Sequence, residues 1–173
     1  MVDVREATAA DAAALAELRW EFRAGRAAPV ESREAFIARC SQWMARELAS
    51  GAWRAWVAVA DGRIVGQVWV DLLEKVPNPV GERERHAYVS NLYVRPDQRG
   101  GVGTRLLGAT ITWAKQSAVD RIVLWPTTRS VSLYTRAGFT RDGDVMELTC
   151  TPPEGQINPE PSPTLRSSGT HRR

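Results

Sequence analysis

Three glycines packed between an apolar strand and an amphipathic helix constrain this chain more than any other feature of its sequence. The segment AYVSNLYVRPDQRGGVGTRLL spans residues 87–107. Gly100, Gly101 and Gly103 keep side chains off the turn, so amides of the turn and of the first helical turn can converge on an anion. Arg99 and Arg105 flank it with positive charge. A phosphate or pyrophosphate cradle is the functional reading, and a plain glycine-rich turn is the structural one. The spacing is not the GxxxxGK[ST] of a Walker A loop. Nor is it a GxGxxG dinucleotide fingerprint with an acid about 20 residues further on.

The charge of the chain gathers around the same turn. Its 173 residues carry 23 Lys+Arg against 20 Asp+Glu, a formal net charge of +3. Arg95 to Arg136 holds seven basic and two acidic residues, a local excess of +5, which leaves the tail at +1 and the remaining body near −3. Nucleic acids and membranes call for a basic face rather than a slight surplus, and a phosphate-bearing cofactor at the turn accounts for this cluster better. Neither partner is expected. Cys40 and Cys150 are the only cysteines and His86 and His171 the only histidines, so no metal site of the Cys/His type is expected. No apolar run reaches the length of a signal peptide or membrane span, and the expectation is a reduced, cytoplasmic protein.

Periodicity divides the chain into a folded domain at 1–153 and a flexible tail at 154–173. The tail, EGQINPEPSPTLRSSGTHRR, has three Pro and almost nothing to bury. Within the domain, residues 2–7 alternate as a strand, and Thr8 with Asp11 reads as a capping box opening a helix with Leu15, Leu18 and Phe22 on one face. A second helix is expected over 32–49. Strands at 53–60 and 63–72 flank an Asp61-Gly62 hairpin turn, and a polar loop at 74–84 leads to a strand at 86–94. A helix at 104–117, a strand at 120–125, a short helix at 130–137 and a strand at 145–149 complete the domain. This order predicts an α/β fold in which helices pack on a mixed sheet.

The glycine turn resembles the signature of the GCN5-related N-acetyltransferase (GNAT) superfamily, Gln/Arg-x-x-Gly-x-Gly/Ala, with Gln98, Gly101 and Gly103 in its positions and Arg99, Gly100, Val102 and Thr104 filling the loop. SLYTRAGF at 132–139 is similar to the late helix motif of the same family. Thr127 stands where the family commonly has Asn, and Ser130 where it has Ala. The resemblance implies a mostly antiparallel sheet with splayed central strands. It also implies acetyl-CoA as acyl donor, held by the loop, by Leu92, Tyr93 and Val94 on the preceding strand, and by Thr127 and Ser130. Tyr134 would be the general acid at the coenzyme sulfur, and a backbone amide near Tyr93 or Val94 the carbonyl polariser.

The remaining chemistry stays open at this level. Tyr134 can instead pack the late helix onto the sheet. Glu21 and His86 are candidates for a base or for the acceptor site, with Glu84, Asp71 and Glu74 behind them, and a weakly basic amine needs no base. Trp20, Glu21 and Trp125 are candidate walls of the acceptor pocket, whereas Trp53, Trp56, Trp69 and Trp113 belong to elements that must bury a face. Arg129 and Arg136 are candidates for the coenzyme phosphates. The leading expectation is direct acetyl transfer to a small polar amine such as a drug, nucleoside-like antibiotic, polyamine or amino acid. Acetylation of a protein N-terminus or lysine is the alternative, and an inactive coenzyme-binding or interaction module a third reading. The tryptophan surplus makes a homodimer reasonable.

Overall fold

A computed structural model describes residues 1–81 and 83–141 of the chain. Its elements are β1 (Val2–Glu6), α1 (Ala12–Ala24), α2 (Arg33–Ser50), β2 (Trp53–Ala60), β3 (Arg63–Glu74), β4 (Arg85–Val94), α3 (Val102–Gln116), β5 (Arg121–Val123) and α4 (Val131–Arg136). The strands form one sheet in the order β1-β2-β3-β4-β5. Every neighbouring pair is antiparallel except β4 and β5, which run parallel. This is the mixed sheet with flanking helices that the element order predicts, and its mostly antiparallel pairing is what the family resemblance implies. The strand expected at 145–149, the domain end at 153 and the tail lie outside the described residues.

Local chemistry explains most boundaries. The backbone N–H of Thr8 donates to Asp11 Oδ2 at 2.8 Å, and Arg5 grips the same carboxylate through two 2.8 Å hydrogen bonds. The Arg5 guanidinium holds the Asp11 carboxyl down at about 2. Ser32 caps α2 by accepting from the Ala35 amide. Asp61 and Gly62 both take positive φ, 48° and 74°, as a two-residue hairpin turn requires. Several boundaries differ from expectation by one or two residues, and two of the differences have a clear local cause. Helix α3 begins at Val102 rather than Thr104, because Gly101 in the left-handed region already caps it. Strand β5 ends at Val123 rather than Trp125, because its pairing with β4 stops there.

The strands alternate between two faces with period two. Trp56, Ala58, Val68, Val70, Ala87 and Val89 pack with Val102 and Leu106 of α3 on one face. Ala55, Val57 and Trp69 meet Leu15 and Ala16 of α1 and Met44 of α2 on the other. Gly66 lets α3 approach the sheet closely: a Cβ there would lie 3.1 Å from the Tyr93 carbonyl oxygen, Leu106 Cδ1 and Val94 Cγ2. Since the backbone contact cannot yield cheaply, Gly66→Ala is expected to destabilise the fold by about 1–3 kcal/mol. A lowered urea midpoint with an unchanged slope would display this, whereas an unshifted midpoint would contradict the tight packing.

Candidate active site

The site begins with the unequal pairing of β4. Along one edge it pairs with β3 from Arg85 to Val94. Along the other it meets β5 only at His86, Ala87 and Tyr88. From Val89 onward that second edge has no strand partner among the described residues, because β5 ends at Val123, opposite Tyr88. A cleft of about 960 Å³ lies beside this edge. Tyr88 to Val94 form its floor, the glycine turn and Thr104 one wall, and Thr127, Ser130, Leu133 and Tyr134 the other.

The glycine turn has the backbone geometry of an anion site. Gly100 and Gly101 take φ of 88° and 93°, where side-chain-bearing residues are strained. Gly101 is the N-cap of the 15-residue helix α3, and no side chain caps that end. The first amides of α3 therefore have no intrahelical acceptor, and Gly103 and Thr104 line the cleft beside them. A Cβ at Gly103 would stand 3.7 Å from Leu133 Cδ2, so a longer side chain there must grow into the cleft.

The walls carry six arginines (Arg19, Arg23, Arg26, Arg99, Arg129 and Arg136) against one acid, Glu21. Both oxygens of Glu21 are already engaged by Arg95, at 2.8 and 3.0 Å. Only three of the six arginines come from the basic segment at 95–136. Arg105 of that segment turns away and donates to the Val2 carbonyl. Tyr134 enters from α4, its ring 5.6 Å from that of Phe139. Burial pushes its phenol above the ordinary tyrosine range, so it keeps its proton at neutral pH.

A model of the Acetyltransferase (GNAT) family matches residues 12–139. The chain belongs to the GNAT family of acetyltransferases. Solved structures carry the same fold. A predicted acetyltransferase from Clostridium acetobutylicum, crystallised with acetyl-CoA, superposes with a TM-score of 0.71 at 21% identity over 86% of this chain and 96% of its own. An aminoglycoside acetyltransferase from an uncultured soil metagenomic sample gives 0.67 at 17% identity, over 87% of this chain and 95% of its own. A ribosomal-protein-alanine N-acetyltransferase from Brucella melitensis gives 0.62 at 21% identity, over 87% of this chain and 99% of its own. No curated protein is significantly similar in sequence. Among the described residues, no group of three or more His, Cys, Asp and Glu side chains is placed to hold a metal, and no helix is long and apolar enough to cross a membrane.

Within this GNAT cleft the structure brings together Leu92, Tyr93, Val94, Arg99, Gly100, Gly101, Gly103, Thr104, Thr127, Ser130 and Tyr134, with Glu21 and Trp125 at its margins. Other expected residues are not among its lining. Gln98 turns its amide to Asp97, and the Val102 side chain is buried in the core on the α3 face. Trp20 stacks on Phe36, 5.5 Å between ring centroids, and braces α1 against α2 instead of walling a pocket. His86 sits at the start of β4 with Nε2 3.5 Å from Asp120, below the point where the strands part. Glu84 accepts from the Asn78 amide in the preceding loop.

Two features had no counterpart in the sequence reading. The first is a bulge in β4. Gln67 pairs with Tyr93 but Trp69 with Ser90, so β4 carries one extra residue opposite Val68, and Asn91 takes φ 55°. A non-glycine residue there is uncommon, and nothing in an apolar strand sequence announces it. The second is a hollow of about 350 Å³ between α1, α2 and the sheet, walled by Phe36, Trp43, Trp53 and Trp69. Arg19, Ser90 and Asn91 line both this hollow and the cleft, which therefore meet at the bulge.

The conformation of Gly101 provides a direct check on the anion site. Gly101→Val places a β-branched residue at φ 93° and is expected to cost about 1–3 kcal/mol, while weakening acetyl-CoA binding by tenfold or more in calorimetry. A variant that unfolds earlier yet binds acetyl-CoA normally would separate the turn from the anion site.

Proposed function

We propose that the protein is an N-acetyltransferase that moves an acetyl group from acetyl-CoA to a primary amine of a small molecule, directly and without a metal. The observation that carries this reading is the cleft beside β4, lined by an uncapped glycine-initiated helix, a strand edge unpaired among the described residues and a half-buried phenol. The residues present suit acetyl-CoA. Its phosphates match the free amides of the turn and Arg99, Arg129 and Arg136, and its amide-bearing arm matches the open edge of β4.

Acetyl-CoA supplies a thioester, so that the amine nitrogen gains the acetyl group as the carbon–sulfur bond breaks. The chain must then provide a donor for the carbonyl and a proton for the sulfur. The amides of β4 around the bulge at Asn91 are the donors in reach of the cleft floor. Tyr134 Oη holds the proton, and the proton lost by the amine nitrogen restores the phenol. Cys40 lines the hollow, but burial pushes its thiol up, away from the thiolate that a covalent acetyl carrier would need. This favours transfer within one ternary complex.

The hollow supports a small acceptor. At about 350 Å³ it lies near the lower end of small-ligand pockets, which run about 300–1,000 Å³. No Asp, Glu or His among the described residues lines it, so the neutral amine comes from solution rather than from a base within the hollow.

Two outcomes follow for kinetics. Tyr134→Phe should lower kcat by about 10²-fold or more while the acetyl-CoA Kd changes less than about threefold. Equal losses in both would assign the residue to packing. For the wild type, kcat/KM should rise with pH until the acceptor amine is neutral. Because burial raises the folded pKa of Tyr134, the proton donor should persist through pH 9 and be lost only above the ordinary tyrosine range. A fall in rate between pH 7 and 9 would contradict this assignment.

A further inference from the structure

The aromatic hollow and Arg19 together describe the acceptor more narrowly than the fold does. Trp43, Trp53 and Trp69 form a mutual cluster, with ring centroids 5.7, 5.8 and 6.3 Å apart. The aromatic wall continues from Trp53 to Tyr88 at 6.5 Å and from Tyr88 to Trp125 at 5.0 Å. It thus runs from α2 across the sheet to the mouth of the cleft. Trp125 remains 59% exposed and Trp43 36%, unusual for rings whose only task is to fill a core.

Arg19 stands where the hollow joins the cleft. Its Nη1 donates to Asn91 Oδ1 at 3.0 Å, and its guanidinium lies 5.9 Å from the Phe22 ring centroid. It makes no ion pair with a carboxylate among the described residues. Arg23 and Arg26 lie near it, and burial followed by Arg23 lowers its pKa, as for a cation short of counter-charge. The other cation of the hollow, Arg39, is paired with Glu31. Among the described residues the hollow is therefore lined by two arginines, one of them without a carboxylate partner, and by no acid to receive a polycation.

We propose, building on the acetyl-transfer reading above, that the acceptor is an aromatic α-amino acid: its ring enters the tryptophan hollow, its carboxylate pairs with Arg19, and its α-amine faces the Asn91 bulge at the head of the cleft. One carbon separates amine and carboxylate in such a molecule. This matches a single junction that presents both the guanidinium and the strand edge. A half-buried arginine with no carboxylate partner gains most from an anionic ligand, and aromatic rings contribute further through edge and offset contacts. Polyamines, among the acceptors the sequence left open, would place several cations against Arg19 and Arg39.

The test uses the full chain and reads binding and turnover separately. Calorimetry with L-phenylalanine, phenethylamine and spermidine, each with coenzyme A present, should show phenylalanine binding about 10–100-fold tighter than phenethylamine, the span expected for a charge-assisted pair. Spermidine should not bind measurably. In turnover with acetyl-CoA, the same ratio should appear in kcat/KM. Arg19→Met should collapse the ratio to within about threefold, and Arg19→Lys should restore part of it. Equal binding of the two aromatic amines, a ratio that survives in Arg19→Met, or preferential use of spermidine would overturn the inference while leaving acetyl transfer intact. Failure of wild-type protein to bind acetyl-CoA would instead overturn the acetyl-transfer reading. Arg19-dependent binding of phenylalanine without coenzyme would still uphold the pocket in that case.

Discussion

Strand β4 is hydrogen-bonded along its full length to β3 but over only three residues to β5, and the rest of the site depends on that inequality. A strand inside a sheet normally exhausts its donors and acceptors on its neighbours. Here the edge beyond Tyr88 has no strand partner among the described residues, in a position where the faces of the sheet are covered by helices. The parallel direction of the β4–β5 pair matters as well. It requires a crossover, and α3 is that crossover, so the glycine turn that starts α3 follows the C-terminal end of β4.

The bulge at Asn91 adds a second consequence of the same strand. One extra residue in β4 shifts which side chains face α1 and α2, and it brings Ser90 and Asn91 to the junction of two hollows. The cleft and the aromatic hollow therefore meet at one bent strand. Arg19 is held at this junction by Asn91, so the strained residue also orients the cation. The cleft gains its positive field by convergence: α1, the glycine turn and the segment before α4 each contribute arginines that lie far apart in the chain.

The order of elements, the Asp61-Gly62 hairpin, the capping box at Thr8 and the Ser32 cap were all legible in sequence, since each is set by residues within a few positions of one another. The backbone freedom of Gly100 and Gly101 was legible for the same reason. Charge was only half legible. Counting along the chain selected Arg105, which bonds to the Val2 carbonyl, and passed over Arg19, Arg23 and Arg26, which face the cleft. His86 and Trp20 drew attention by residue type, but the structure puts one beside Asp120 and the other against Phe36. The tryptophan surplus, unexplained by composition, becomes intelligible once Trp43, Trp53 and Trp69 are seen to share one hollow.

By itself, then, the sequence determined the succession of the described strands and helices and the glycine-initiated helix. These follow from local φ preferences, hydrophobic period and side-chain chemistry, which act over a few residues. Tertiary structure alone decided where β4 and β5 part, which residue takes the bulge, which arginines converge and which tryptophans form a wall. Those outcomes depend on strand register and on which face of an element meets which neighbour, and they are fixed by packing between residues remote in the chain.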